Sequence, residues 1–85
     1  MTPEAIRRVV LTALVEVAPD VDLSDLSDDR PLREQVEIDS YDFMQLLVAI
    51  HARLGVDVPE RDYDQVDTLP RMIAYLGSRL PPDPT

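Results

Sequence analysis

The sequence predicts an all-α protein: a small bundle of three main helices plus one short helix, with a long ordered first loop. Three observations carry this. Apolar residues recur at helical spacing in three separate stretches, which gives each stretch one face to bury. Each stretch opens on a residue suited to capping a helix start, and the first two are followed by a residue that stops the helix. Finally, 85 residues of which 45% are apolar suffice for one modest core without metal or disulfide staples.

The first helix is expected from Pro3 to Val17. Thr2 is its cap, and Pro3 takes the first-turn position where a missing N–H is harmless. Its apolar stripe is Ile6, Val9, Val10, Ala13, Leu14 and Val17. The Ala18-Pro19 pair ends it, because the residue before a proline is pushed out of the α region. The segment from Pro19 to Asp39 is too long for a structureless connection in a small domain and should carry its own order. Leu23, Leu26, Leu32, Val36 and Ile38 are its expected anchors, with a turn or short helical piece near Leu32 to Gln35. A second main helix starts at Asp39-Ser40, carries the stripe Phe43, Leu46, Leu47, Ile50, Leu54, and stops at Gly55. Val56-Asp57-Val58-Pro59 reads as an extended bridge, and Glu60 to Val66 as a short helix. Asp67-Thr68 caps a last helix from Leu69 to Leu80 with the stripe Leu69, Met72, Ile73, Leu76, Leu80. The three stripes should face one another, burying Leu14, Phe43, Leu47, Ile50, Ile73 and Leu76. Residues 1–80 are expected to form one domain, and Pro81 to Thr85 a disordered proline-rich tail.

Composition excludes several functions. Seventeen acidic against eight basic residues, all eight of them arginine, give a net charge of −9, so nucleic acid is not an expected partner. The acid is concentrated from Asp20 to Asp39, where basic protein partners would be steered. The chain has no cysteine, which removes disulfides, Cys-based zinc sites and a thiol nucleophile. There is no leader pattern and no apolar run long enough for a membrane span, so a cytoplasmic, monomeric protein is expected. Asp20-Val21-Asp22-Leu23-Ser24 imitates the start of a calcium loop, but Asp25 stands where glycine is needed and Pro31 where a bidentate glutamate is needed. No metal site is expected. The single histidine, His51, lies about 16 Å along the helix axis from Ser40, too far to act as its base. No catalytic residue is expected.

Ser40 is the residue on which function is expected to turn. The first turn of its helix has unpaired N–H groups and the positive end of the helix dipole, favourable for a phosphate on the hydroxyl. On its own an Asp-Ser pair at this place is a cap. Its surroundings add more: Pro31-Leu32-Arg33-Glu34, Val36-Glu37-Ile38-Asp39-Ser40, Phe43-Met44-Gln45-Leu46-Leu47, Leu54-Gly55-Val56-Asp57-Val58-Pro59 and Asp67-Thr68-Leu69 together resemble the acyl carrier proteins. The likeness spans nearly the whole chain apart from the tail. It implies the acyl-carrier bundle, a non-enzyme function, and a 4′-phosphopantetheine arm placed on Ser40, beside the motif and cap residue Asp39, by a phosphopantetheinyl transferase that uses coenzyme A. The arm's thiol would carry acyl groups as thioesters between ketosynthase, acyltransferase or ligase-type enzymes. A stand-alone carrier of polyketide, other secondary-metabolite or fatty-acid-type biosynthesis is the leading expectation. An aminoacyl or peptidyl carrier, or an unmodified interaction module, is the alternative.

The chain departs from the family where partners dock. Tyr41 replaces the usual leucine after the serine, and Gln45, His51, Ala52 and Arg53 stand where the family often has acids. With Phe43 facing the core, Tyr41, Met44 and Val48 fall roughly 100° to 160° away around the helix. Tyr41 is expected exposed, whereas Met44 and Val48 either pack on the first loop or join Tyr41 and Gln45 in a partner-binding surface.

Overall fold

A computed structural model describes residues 1–80, and the expected tail, 81–85, lies outside them. Helix α1 spans Pro3–Val17, the short α2 Leu32–Gln35, α3 Ser40–Leu54 and α4 Leu69–Arg79; 3-10 turns occupy Leu23–Asp25 and Glu60–Val66. The described residues are all-helical, as the three apolar repeats require. The chain folds to a Cα radius of gyration of 12.1 Å.

Local chemistry sets the helix ends. Thr2 Oγ1 accepts from the Ala5 N–H at 3.2 Å, and Thr68 Oγ1 accepts from the Arg71 N–H at 3.3 Å, each satisfying a first-turn donor that has no intrahelical partner. At the end of α3, Gly55 adopts φ 72°, and its N–H donates to the His51 carbonyl at 2.8 Å. A side chain here would be strained by that left-handed backbone.

Helix α1 packs against both α3 and α4, and the Glu60–Val66 turn packs on α4. Ile6, Val10, Ala13 and Leu14 from α1 meet Phe43, Leu46, Leu47 and Ile50 from α3 and Leu69, Met72 and Leu76 from α4 in one core. Val56, Val58 and Val66 join the same core. Two expectations need correction. Ile73 is half-buried, packed at the edge of the core, and Tyr75 takes a buried place instead. Leu23 does not anchor the first loop, being 38% exposed, while Leu32, Val36 and Ile38 are buried.

The long first loop is ordered by specific bonds. The Gln35 amide accepts from the Ser27 N–H at 2.5 Å and donates to the carbonyls of Ser27 and Arg30, each at 2.8 Å. One side chain thus satisfies three backbone groups that no helix or strand serves. The Leu32 N–H donates to the Asp67 carbonyl at 2.8 Å, tying α2 to the start of α4. Arg7 pairs with Asp28 at 3.3 Å across the gap from α1 to the loop.

Candidate functional site: the start of helix α3

Val36 and Ile38 bury their side chains on either side of the exposed Glu37, and this alternation pins the strand-like lead into α3 to the core. Asp39 follows in extended conformation, with Oδ1 accepting from the Asp42 N–H at 2.9 Å. Asp39 therefore caps the helix, and Ser40 is its first residue with an exposed side chain. This division of labour leaves the Ser40 hydroxyl at the positive end of the helix without using it as a cap.

The Ser40 Oγ accepts one hydrogen bond in the structure, from Arg33 Nη2 at 3.1 Å. Arg33 lies on α2, and its guanidinium carbon stands 5.8 Å from the centre of the Phe43 ring, within cation–π range. Phe43 itself is held by a T-shaped contact with Tyr63, centroid to centroid 5.5 Å. Pro31, Arg33, Phe43, Tyr63, Asp64 and Asp67 line a groove of about 240 Å³ beside the site.

The helix face running down from Ser40 is apolar and open: Tyr41 is 63% exposed, Met44 40% and Val48 55%. Neither Met44 nor Val48 is buried under the first loop. Gln45 beside them is half-buried, and His51 is exposed. Helix α3 has one acid in its first turn, Asp42, and Arg53 near its end pairs with Glu16 of α1.

The structure thus brings Asp39, Ser40, Tyr41, Met44, Gln45 and Val48 onto one end and side of α3. Sequence reasoning did not single out Arg33. It stands seven residues before Ser40, a spacing with no helical or strand meaning, and only the turn between α2 and α3 brings the two together. A residue set that fits 4′-phosphopantetheine is present: an accessible hydroxyl, first-turn N–H groups and a guanidinium on the hydroxyl oxygen.

The family model for the phosphopantetheine attachment site matches residues 8–76, and the chain belongs to that family of acyl carrier proteins, which carry covalent 4′-phosphopantetheine. It is 25% identical over 73 residues to an acyl carrier protein of Rubrobacter xylanophilus, covering 82% of this chain and 90% of the relative. Over 58 residues it is 29% identical to an acyl carrier protein of Rickettsia canadensis, covering 68% of this chain and 67% of that protein. It is also 25% identical over 69 residues to the mitochondrial acyl carrier protein of Saccharomyces cerevisiae, covering 81% of this chain and 55% of the yeast protein's length. Members of this family are carriers, and they meet a phosphopantetheinyl transferase and biosynthetic enzymes. No helix among the described residues is long and apolar enough to cross a membrane.

Proposed function

We propose that Ser40 is the attachment residue and that residues 1–80 form an acyl carrier domain. The observation that supports this most is the exposed Ser40 hydroxyl at the first position of α3, with capping left to Asp39. In the modification, Ser40 Oγ bonds to the phosphorus that bears pantetheine in coenzyme A. The diphosphate bond breaks, adenosine 3′,5′-bisphosphate leaves, and the hydroxyl proton passes to the transferase or solvent. When attached, the arm supplies a terminal thiol that carries acyl groups as thioesters.

This chain's own residues hold the root of the arm and present it. Ser40 would anchor it at the end of the helix where the first-turn N–H groups favour a phosphate, and Asp39 keeps that helix end formed. Tyr41, Met44, Gln45 and Val48 form the surface on which the transferase and the acyl-loading and acyl-processing enzymes dock. With Asp42 as the nearest acid of α3 to that surface, docking leans on apolar contact more than on steering. The names of the three relatives favour acyl over aminoacyl cargo. The departures at Tyr41 and Gln45 favour partners dedicated to this carrier, as in polyketide or another secondary pathway.

Incubation with coenzyme A and a broad-specificity transferase, read by intact mass, tests the attachment. The wild-type chain should gain one phosphopantetheine and Ser40→Ala none, with an unchanged circular dichroism spectrum. Addition to Ser40→Ala, at Ser24, Ser27 or Ser78, would overturn the assignment.

A further inference from the structure

We propose that Arg33 is the residue that holds the phosphodiester of the arm, so that modification fastens α2 to the start of α3. The inference rests on the reading of Ser40 as the attachment residue and adds to it a role for a side chain on a different element.

Three observations converge on Arg33. Its Nη2 already donates to Ser40 Oγ at 3.1 Å, and this is the oxygen that becomes part of the phosphodiester, so the phosphate would be built within reach of the guanidinium. The guanidinium is also prepositioned: Leu32, the residue before it, is fully buried, and Phe43, 3% exposed, lies under the charged end at 5.8 Å. Lastly, Arg33 shares with Arg8, Arg30 and Arg61 the lack of an ion pair to a carboxylate among the described residues, and of these four it is the one bonded to Ser40.

The local charge gives this cation a purpose. Asp39 and Asp42 flank Ser40 within two residues, and Glu37 is exposed just before them. A phosphodiester on Ser40 adds another negative charge to this acidic helix start. The helix dipole offsets part of the repulsion. Arg33 is the cation already in contact with Ser40, and a guanidinium matches two phosphate oxygens at once where an ammonium would act as a point charge. The guanidinium's bond to a neutral hydroxyl is then joined by bonds to an anionic phosphate, and the short α2 is held by the modification.

The test uses the full chain labelled with nitrogen-15, before and after modification by coenzyme A and a transferase. The Arg33 side-chain Nε–H signal is identified by its absence from the spectrum of Arg33→Gln. Intact mass first establishes that one arm is present. The expected result is a displaced Arg33 Nε–H signal in the modified protein, returning toward its unmodified position as salt is raised. The phosphorus-31 resonance should differ between wild type and Arg33→Gln, with Arg33→Lys in between. An arm present by mass with the Arg33 signal unmoved overturns the clamp and leaves the attachment standing. Failure of the wild-type chain to take up any arm overturns both. Should Arg33→Gln itself escape modification, the wild-type comparison alone decides.

Discussion

Leu47 and Val48 are neighbours in α3 that the fold sends in opposite directions, and truncating each to alanine tests the packing directly. Leu47 is 6% exposed and Val48 55%. Leu47→Ala removes three carbons from the core, about 2.4 kcal/mol at about 0.8 kcal/mol per buried methylene. If the bundle relaxes only partly and leaves a void of about 50 Å³, the cavity adds about 1 kcal/mol. The sum, about 3 to 4 kcal/mol, is a large part of the roughly 4 to 13 kcal/mol expected for a chain of 85 residues. For a domain of this size it lowers the unfolding midpoint by about 12 to 30 °C. Val48→Ala, on the open face, should change stability by about 0.5 kcal/mol or less. Thermal melts followed by circular dichroism at 222 nm measure both, with urea titrations to verify that the denaturant slope is unchanged. A fall of less than about 5 °C for Leu47→Ala, or equal falls for the two variants, would refute the assignment of the α3 faces.

Gln35→Ala leaves the Ser27 N–H and the carbonyls of Ser27 and Arg30 without their side-chain partner. It should cost about 1 to 3 kcal/mol and speed hydrogen exchange in residues 27–30 before the helices; exchange unchanged there would show that the loop is held by other contacts. Tyr75 donates to Asp62 Oδ2 at 2.6 Å, and burial first, then this bond, raises its pKa above the ordinary 10.0. The folded state therefore holds the proton more tightly than the unfolded chain, so the contribution is complete below pH about 10 and is lost as pH climbs through the raised folded value. The stability gap between wild type and Tyr75→Phe should shrink in that alkaline range, and parallel pH curves would contradict it. Tyr41→Ala and Met44→Ala should slow acyl transfer to a cognate enzyme roughly tenfold, about 1.4 kcal/mol, with unfolding midpoints preserved. Transfer that ignores both substitutions yet collapses with salt would place docking on the acidic first loop instead.

The helices were legible because their determinants are local. Caps act across three residues, as Thr2, Asp39 and Thr68 do on the third residue after each, and a stripe such as Phe43, Leu46, Leu47, Ile50 repeats within one turn of itself. Gly55 and the Ala18-Pro19 pair end helices for reasons carried by single residues. The place of Ser40 at a helix start was therefore readable from the chain. Which side chains surround it was not. Arg33 reaches Ser40 only because α2 and α3 are set at a turn whose shape depends on the burial of Leu32, Val36 and Ile38 and on the Leu32 N–H bond to Asp67, thirty-five residues away. Helical periodicity puts Ile73 in the α4 stripe and Tyr75 outside it, yet the Glu60–Val66 turn packs on α4 and Asp62 accepts from the phenol, so that Tyr75 goes in and Ile73 stays at the edge. The openness of Met44 and Val48 is likewise set by where the first loop runs, and Gln35 holds that loop through bonds five and eight residues back along the chain. Short-range rules act within a turn of helix, whereas burial and side-chain pairing depend on which surfaces meet, and that follows only from the assembled bundle.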